Sequence, residues 1–132
     1  MLNMNFQESV IIETENQEWQ PSPASKVFRK PLAREDRESG HATSIVQYVA
    51  GASFPEHLHP AGEEILVLSG IFSDEAGNFG PGSYLRNPPG SSHANGTDLS
   101  RLSLVLLESA CLRSWMLQPF MRLWSSLYSP RL

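Results

Sequence analysis

The pattern of apolar and polar positions divides the chain into three stretches. Over residues 1–40 a single β-rich run, "SVIIET", is followed by "WQPSPASKVFRKPLAREDRESG", where Pro21, Pro23 and Pro31 and a run of charges argue against long regular elements. This stretch is expected to be an arm lying across a core. From Thr43 the pattern changes to short runs rich in β-branched and aromatic residues, "TSIVQYV", "EILVLSGIFSDE", "GSYLRN" and "RLSLVLLE". Between them lie "GASFPEHLHPAG", "DEAGNFGPG" and "NPPGSSHANG", all dense in glycine, proline and asparagine. Short strands with turn chemistry about every 8 to 12 residues predict an all-β sandwich or small barrel, with its core over residues 41–108.

Within the strongest run the period of two puts Glu63, Ile65 and Val67 on one face and Glu64, Leu66 and Leu68 on the other. A strand apolar on both faces predicts a sheet that is covered outside as well as inside. After Asp98 leucine, serine and arginine dominate. Leu112, Trp115, Met116, Phe120, Leu123, Trp124 and Leu127 recur at helical spacing, with Pro119 placed as a first-turn residue. Residues 109–132 are therefore expected to be a tail with a short helix, packed on the barrel or on a neighbouring subunit. The apolar outer face at Leu66 and Leu68, together with Trp115, Phe120 and Trp124, exceeds what a soluble monomer exposes and predicts a homodimer or larger assembly.

Composition narrows the function classes. A chain of 132 residues builds one core, and a formal charge of -4 with no dense lysine or arginine stretch argues against nucleic acid as a partner. Cys111 is the sole cysteine, which excludes an intrachain disulfide and a thiolate zinc cluster and fits a reducing cytoplasm. The start "MLNMNFQESVIIETENQ" has no basic and apolar leader pattern, and no apolar run approaches the roughly 20 residues of a membrane span. The expectation is a soluble cytoplasmic protein with no membrane partner.

The chemistry concentrates in "EHLHPAGEEILVLSG". In an extended chain His57 and His59 point to one face and Leu58 to the other, so one strand offers two nitrogen ligands to one ion. A turn at Pro60, Ala61 and Gly62 would return Glu63 to the same ion as an oxygen ligand. His93, arriving from the distant "GPGSYLRNPPGSSHAN", would complete a set of three nitrogens and one oxygen. Such a set suits zinc, iron, manganese, nickel or copper, and donor type alone does not choose among them. The remaining polar and aromatic residues read plainly. His41, in "ESGHATS", is expected to be solvated, and Glu56 and Glu64 to be loop or strand-edge charges. Arg86 is expected to face the surface or a nearby carboxylate, and Tyr48, Phe54, Phe72 and Tyr84 to line the core or a pocket wall.

The spacing G-x5-H-x-H-x3-E-x6-G is met by Gly51, His57, His59, Glu63 and Gly70, and G-x5-P-x-G-x2-H by Gly82, Pro88, Gly90 and His93. These resemble the two cupin motifs, in the right order and with a connecting segment of the right length. The second motif ends in an asparagine four positions after its histidine; Thr97 stands there, with Asn95 nearby. The wording "HPAGEEILVLSGIFSDEAGNFGPGSYLRNPPGSSH" is most similar to the cupin domain of ChrR-type anti-sigma factors, over roughly residues 20 to 95. The resemblance implies a double-stranded β-helix, or jelly-roll, barrel holding one divalent transition metal through His57, His59, Glu63 and His93. Zn2+ is the first expectation, with Fe2+, Mn2+ or Ni2+ as alternatives. ChrR proteins add a helical sigma-binding domain with its own zinc ligands, for which this chain has neither the length nor the cysteines. Direct sigma-factor binding therefore does not carry over, whereas the metal-binding half does. The implied function is a module that senses or binds a small molecule or oxidant. The alternative is an iron-dependent cupin dioxygenase acting on a small dicarbonyl or phenolic ketone. Past Asn95 the family wording is lost, and residues 96–132 read either as the barrel's last strands or as a tail in a shifted frame.

Overall fold

A computed structural model describes residues 1–36, 40–97 and 102–108, of 105–108 the backbone only. Its described strands form two antiparallel sheets. The larger runs in the order β1 (Gln20–Pro21), β2 (Val27–Arg34), β3 (Ala42–Tyr48), β10 (Leu102–Glu108), β5 (Glu63–Ser69) and β8 (Tyr84–Asn87). The smaller runs β4 (Ser53–His59), β9 (Ser91–Thr97), β6 (Phe72–Asp74) and β7 (Gly77–Phe79). The expected all-β architecture is what forms. The last run of the sequence, "RLSLVLLE", supplies β10, which pairs with β3 on one side and β5 on the other. The predicted tail and its helix lie outside the described residues.

The period of two decides which side chains meet between the sheets. In β3, Ala42, Ser44, Val46 and Tyr48 are buried, while Thr43, Ile45 and Gln47 are half-buried. Val27, Val46, Tyr48, Ile65, Val67, Leu102 and Leu104 from the large sheet meet Phe72 of the small sheet and Ala52 from the turn before it. Each such large side chain contributes about 1.5–3 kcal/mol on burial. Glu63 starts β5 on the face that carries Ile65 and Val67, so the apolar core reaches up to a carboxylate.

Several expectations change. The run "SVIIET" forms no strand; a single 3-10 turn sits at Thr14–Asn16, and Ile11 is 90% exposed. Its apolar pattern found no sheet edge to join. Conversely, β2 is an eight-residue strand despite Pro31. Its outer neighbour β1 reaches only Phe28 and Arg29, and the register with β3 slips between Pro31 and Ala33. The missing N–H thus falls at a bulge, where a ladder tolerates it. Lys30 of β2 is buried, donating to the Thr14 carbonyl at 2.6 Å and lying 4.7 Å from the Trp19 ring centroid, which pins the arm to the sheet. His41 is not solvated but buried, edge-on to Phe6. Tyr84 is no core residue: it stands exposed beside Arg86, which donates to both the Tyr84 hydroxyl and Glu64. Leu66 and Leu68 are 40% and 46% exposed, so the described residues of one chain do not supply the outer cover that a doubly apolar strand predicts.

Candidate metal centre

Two strands and one turn assemble the site. His57 and His59 share a face of β4, with Leu58 turned outward to solvent, and β9 lies antiparallel with His93 directly opposite His57. The register of β4 slips between Phe54 and His57, at Pro55 and Glu56. This slip brings the Pro55 carbonyl 3.0 Å from His57 Nδ1. A carbonyl only accepts, so Nδ1 carries the proton and Nε2 keeps its lone pair. The three imidazole rings converge, with centroids 4.5 Å apart for His57 and His59, 4.8 Å for His59 and His93, and 5.8 Å for His57 and His93. One nitrogen from each falls within 4.8 Å of the others, a spacing that could hold one metal ion.

The turn after β4 closes the site from the other side. The His59 carbonyl accepts from two backbone N–H groups, Gly62 at 3.2 Å and Gly90 at 2.9 Å, and so ties the turns of the two histidine regions together. Gly62 takes φ +83° and passes so close to Asn87 and Pro89 that a side chain there would meet their backbone. Glu63 follows at once. Its Oε2 lies 3.0 Å from His93 Nε2 and 3.6 Å from His59 Nε2, with both partners buried, and it accepts a hydrogen bond from Asn87 Nδ2 at 2.9 Å.

The electrostatics favour a cation. Burial, and after it the neighbouring His57 and His93 rings, push the His59 pKa down to about 4, so its imidazole is neutral near pH 7, the form that binds metal. His59 Nε2 and both ring nitrogens of His93 are buried and make no aligned hydrogen bond, although the Glu63 carboxylate faces both Nε2 atoms. Buried polar atoms left this way are expensive unless something polar meets them. A divalent ion among His57, His59, His93 and Glu63 would satisfy the donor set, so the residues fit the group the resemblance implies. All four residues singled out in the sequence are brought together: three as one nitrogen cluster, Glu63 against two of its rings. Three supporting groups were not singled out: the Pro55 carbonyl, Asn87 on Glu63, and Asp74 behind His93. Asn87 and Asp74 meet their partners across strands, which no local spacing encodes, and the Pro55 carbonyl reaches His57 through the register slip within β4. Asn95, the stand-in for the motif's missing asparagine, is buried and accepts from the Tyr48 hydroxyl at 3.2 Å.

Comparison with known proteins places these features. The profile of the ChrR cupin-like domain matches residues 7–108. Among solved structures, a chain of the complex of Rhodobacter sphaeroides SigE with the anti-sigma ChrR superposes with a TM-score of 0.61 at 21% identity, covering 72% of this chain and 51% of its own length. The present chain thus spans about half of that one. An RmlC-like cupin protein from Ralstonia eutropha JMP134 gives 0.68 at 15% identity, covering 80% and 73%. An acetylacetone dioxygenase from Acinetobacter johnsonii gives 0.62 at 20% identity, covering 76% and 72%. At such identities the likeness carries the fold alone. No curated protein matches the sequence. Among the described residues no helix is long and apolar enough to cross a membrane.

Proposed function

The chain belongs to the ChrR cupin-like domain family and has the cupin jelly-roll fold, and from that premise we propose that it is a metal-binding module for a small molecule or oxidant. The observation that carries the reading is the convergence of the His57, His59 and His93 nitrogens within 4.8 Å, two of the rings facing the buried Glu63 carboxylate. In this reading His57, His59, Glu63 and His93 hold one divalent ion. Zn2+ comes first, because it accepts imidazole and carboxylate ligands together and can expand from four to five ligands. The bound ion would supply Lewis acidity toward an incoming oxygen donor. The chain's own residues do the rest. Asn87 fixes Glu63, the Pro55 carbonyl fixes His57, and the apolar walls at Phe54 and Phe72 keep bulk water from the buried rings.

The alternative, an iron-dependent dioxygenase for a small dicarbonyl or phenolic ketone, draws on one observation: His57 is the least buried of the three histidines, leaving an approach for a bidentate ligand. The same proposal includes a homodimer built on the outer face at Leu66 and Leu68 and a cytoplasmic location. It also keeps the division into arm, core and tail at residues 40 and 108. Elemental analysis of protein purified without added metal tests the central reading. Wild type should carry about one transition metal per chain, and His57→Ala or His59→Ala should carry almost none, since each removes one of few donors. Equal metal content in wild type and both variants would refute the ligand set.

A further inference from the structure

Beside Nδ1 of His93 lies a second carboxylate that no motif includes. Asp74 ends β6, and its side chain is 7% exposed. Its Oδ2 stands 3.7 Å from His93 Nδ1, a nitrogen that is buried and has no hydrogen-bond partner. Its other oxygen is committed: Oδ1 accepts from the backbone N–H groups of Ala76 at 2.8 Å and Gly77 at 3.2 Å, the turn that joins β6 to β7. The carboxylate therefore cannot rotate away without abandoning two hydrogen bonds. On the opposite side of the same ring Nε2 faces Glu63 at 3.0 Å.

We propose that Asp74 is the positioning residue for His93: its Oδ2 accepts a hydrogen bond from Nδ1–H, so that Nε2 presents its lone pair to the metal. This rests on the reading of His93 as a ligand and adds the group that sets its tautomer. A histidine ligand whose other ring nitrogen donates to a carboxylate is held in orientation and made more basic. The same division of labour operates at His57, where the acceptor is the Pro55 carbonyl. His93 has no such carbonyl, and the hairpin of β6 and β7 brings a carboxylate instead. Closing the present gap to a hydrogen bond needs a movement of under about 1 Å, within reach of a side-chain adjustment on metal binding.

The turn makes Asp74→Asn a sharp probe. The amide oxygen must stay on the Ala76 and Gly77 N–H groups, because its NH2 cannot accept from them. The NH2 is left pointing at His93 Nδ1, which must then accept, and the ring proton moves to Nε2, where it blocks the metal. Zinc affinity, measured by competition against a chelator, should fall ten- to a hundredfold in Asp74→Asn. Glu75→Gln is the charge control. Glu75 also lies beside His93, but its Oε1 accepts from the Ala94 N–H at 2.9 Å and does not serve the ring. Its zinc affinity should stay within about twofold of wild type, since an exposed charge is screened. Long-range 1H–15N correlation spectra of the imidazoles give the readout that a merely structural role would not move. Wild type should carry a proton on His93 Nδ1, with and without zinc, whatever proton Nε2 shares with Glu63 in the metal-free protein, and metal-free Asp74→Asn should show Nδ1 without one. A wild-type His93 Nδ1 that carries no proton, or unchanged zinc affinity in a folded Asp74→Asn, overturns the assignment. If Asp74→Asn fails to fold, the wild-type tautomer decides alone. If wild type takes up no metal, the proposed function falls, while the tautomer still tests the pairing with Asp74.

Discussion

Gly62→Ala perturbs the site through the backbone alone. Gly62 adopts φ +83°, and a Cβ built there would lie 2.9 Å from the Asn87 carbonyl oxygen, 3.1 Å from the Pro89 nitrogen and 3.2 Å from Pro89 Cδ. The conformational part, forcing an alanine into the left-handed region, costs about 1–2 kcal/mol. The steric part adds roughly 1–3 kcal/mol, because the atoms met are backbone and must move by tenths of an ångström. Gly82→Ala separates the two. Gly82 has φ +85° and nothing within 4 Å of its Cβ position, so it carries the conformational part only. Chemical denaturation of the metal-free proteins should therefore place Gly62→Ala about 2–5 kcal/mol below wild type and Gly82→Ala about 1–2 kcal/mol below, with unchanged slopes. Asn87 would be pushed from Glu63 at the same time, so zinc affinity should drop in Gly62→Ala and hold in Gly82→Ala. Equal stability losses in the two variants would refute the close approach of the turns at Gly62 and Pro89.

The remaining predictions concern protons, association and chemistry. His59 titrates at about 4 folded against 6.5 in the unfolded chain, so its contribution is complete above pH 6.5 and is lost as pH falls toward 4. On the order of 2 kcal/mol should disappear over that window in the metal-free protein, and a flat profile between about pH 7 and about pH 5, measured against His59→Gln, would contradict the burial of the ring. Sedimentation should find a dimer at high micromolar concentration, weakened by Leu66→Lys; a clean wild-type monomer would remove the proposed outer-face interface. If the dioxygenase alternative holds, iron-loaded protein should consume oxygen with a β-diketone, and Glu63→Gln should slow it at least tenfold, about 1.4 kcal/mol of barrier. No uptake with iron, manganese or nickel across such substrates leaves the binding module.

What the sequence made legible follows from which relations are local. His57 and His59 are separated by one residue on a strand, and the pleat converts that spacing directly into a shared face. Glu63 is legible for a related reason, since it opens the next strand on the face that carries Ile65 and Val67. His93 was reached through motif spacing, because its meeting with His57 is a cross-strand pairing between distant segments. The misreadings lie where neighbours decide. Pro31 argues against a strand in isolation, yet β2 forms because β1 is short and a bulge takes up the proline. His41 stands in a polar stretch but is covered by Phe6 from the arm. Tyr84 carries strand chemistry and faces outward, where its hydroxyl serves Arg86.

The donor set and its supports bear on what the centre can do. Asn87 donates to the Glu63 oxygen that faces His93 and His59, so a metal would meet a carboxylate whose oxygen already shares its charge with an amide N–H. Such a carboxylate holds an ion but is restrained from swinging away to open a position. His93 stands between Glu63 and Asp74, and His59 is buried, so two of the three rings are enclosed by protein. His57 alone is half-buried, and its support is a carbonyl from a bulge on a strand paired on one side only. Exchange of ligands would therefore occur on the His57 side, the one place where both solvent access and backbone freedom meet. A fixed wall of His59, Glu63 and His93 facing a single open side suits capture of one small molecule against the metal. Turnover would demand in addition that two adjacent positions open on that same side, which a tetrahedral ion does not provide and an octahedral one does. The protein's contribution is common to both readings, and the identity of the bound ion separates them.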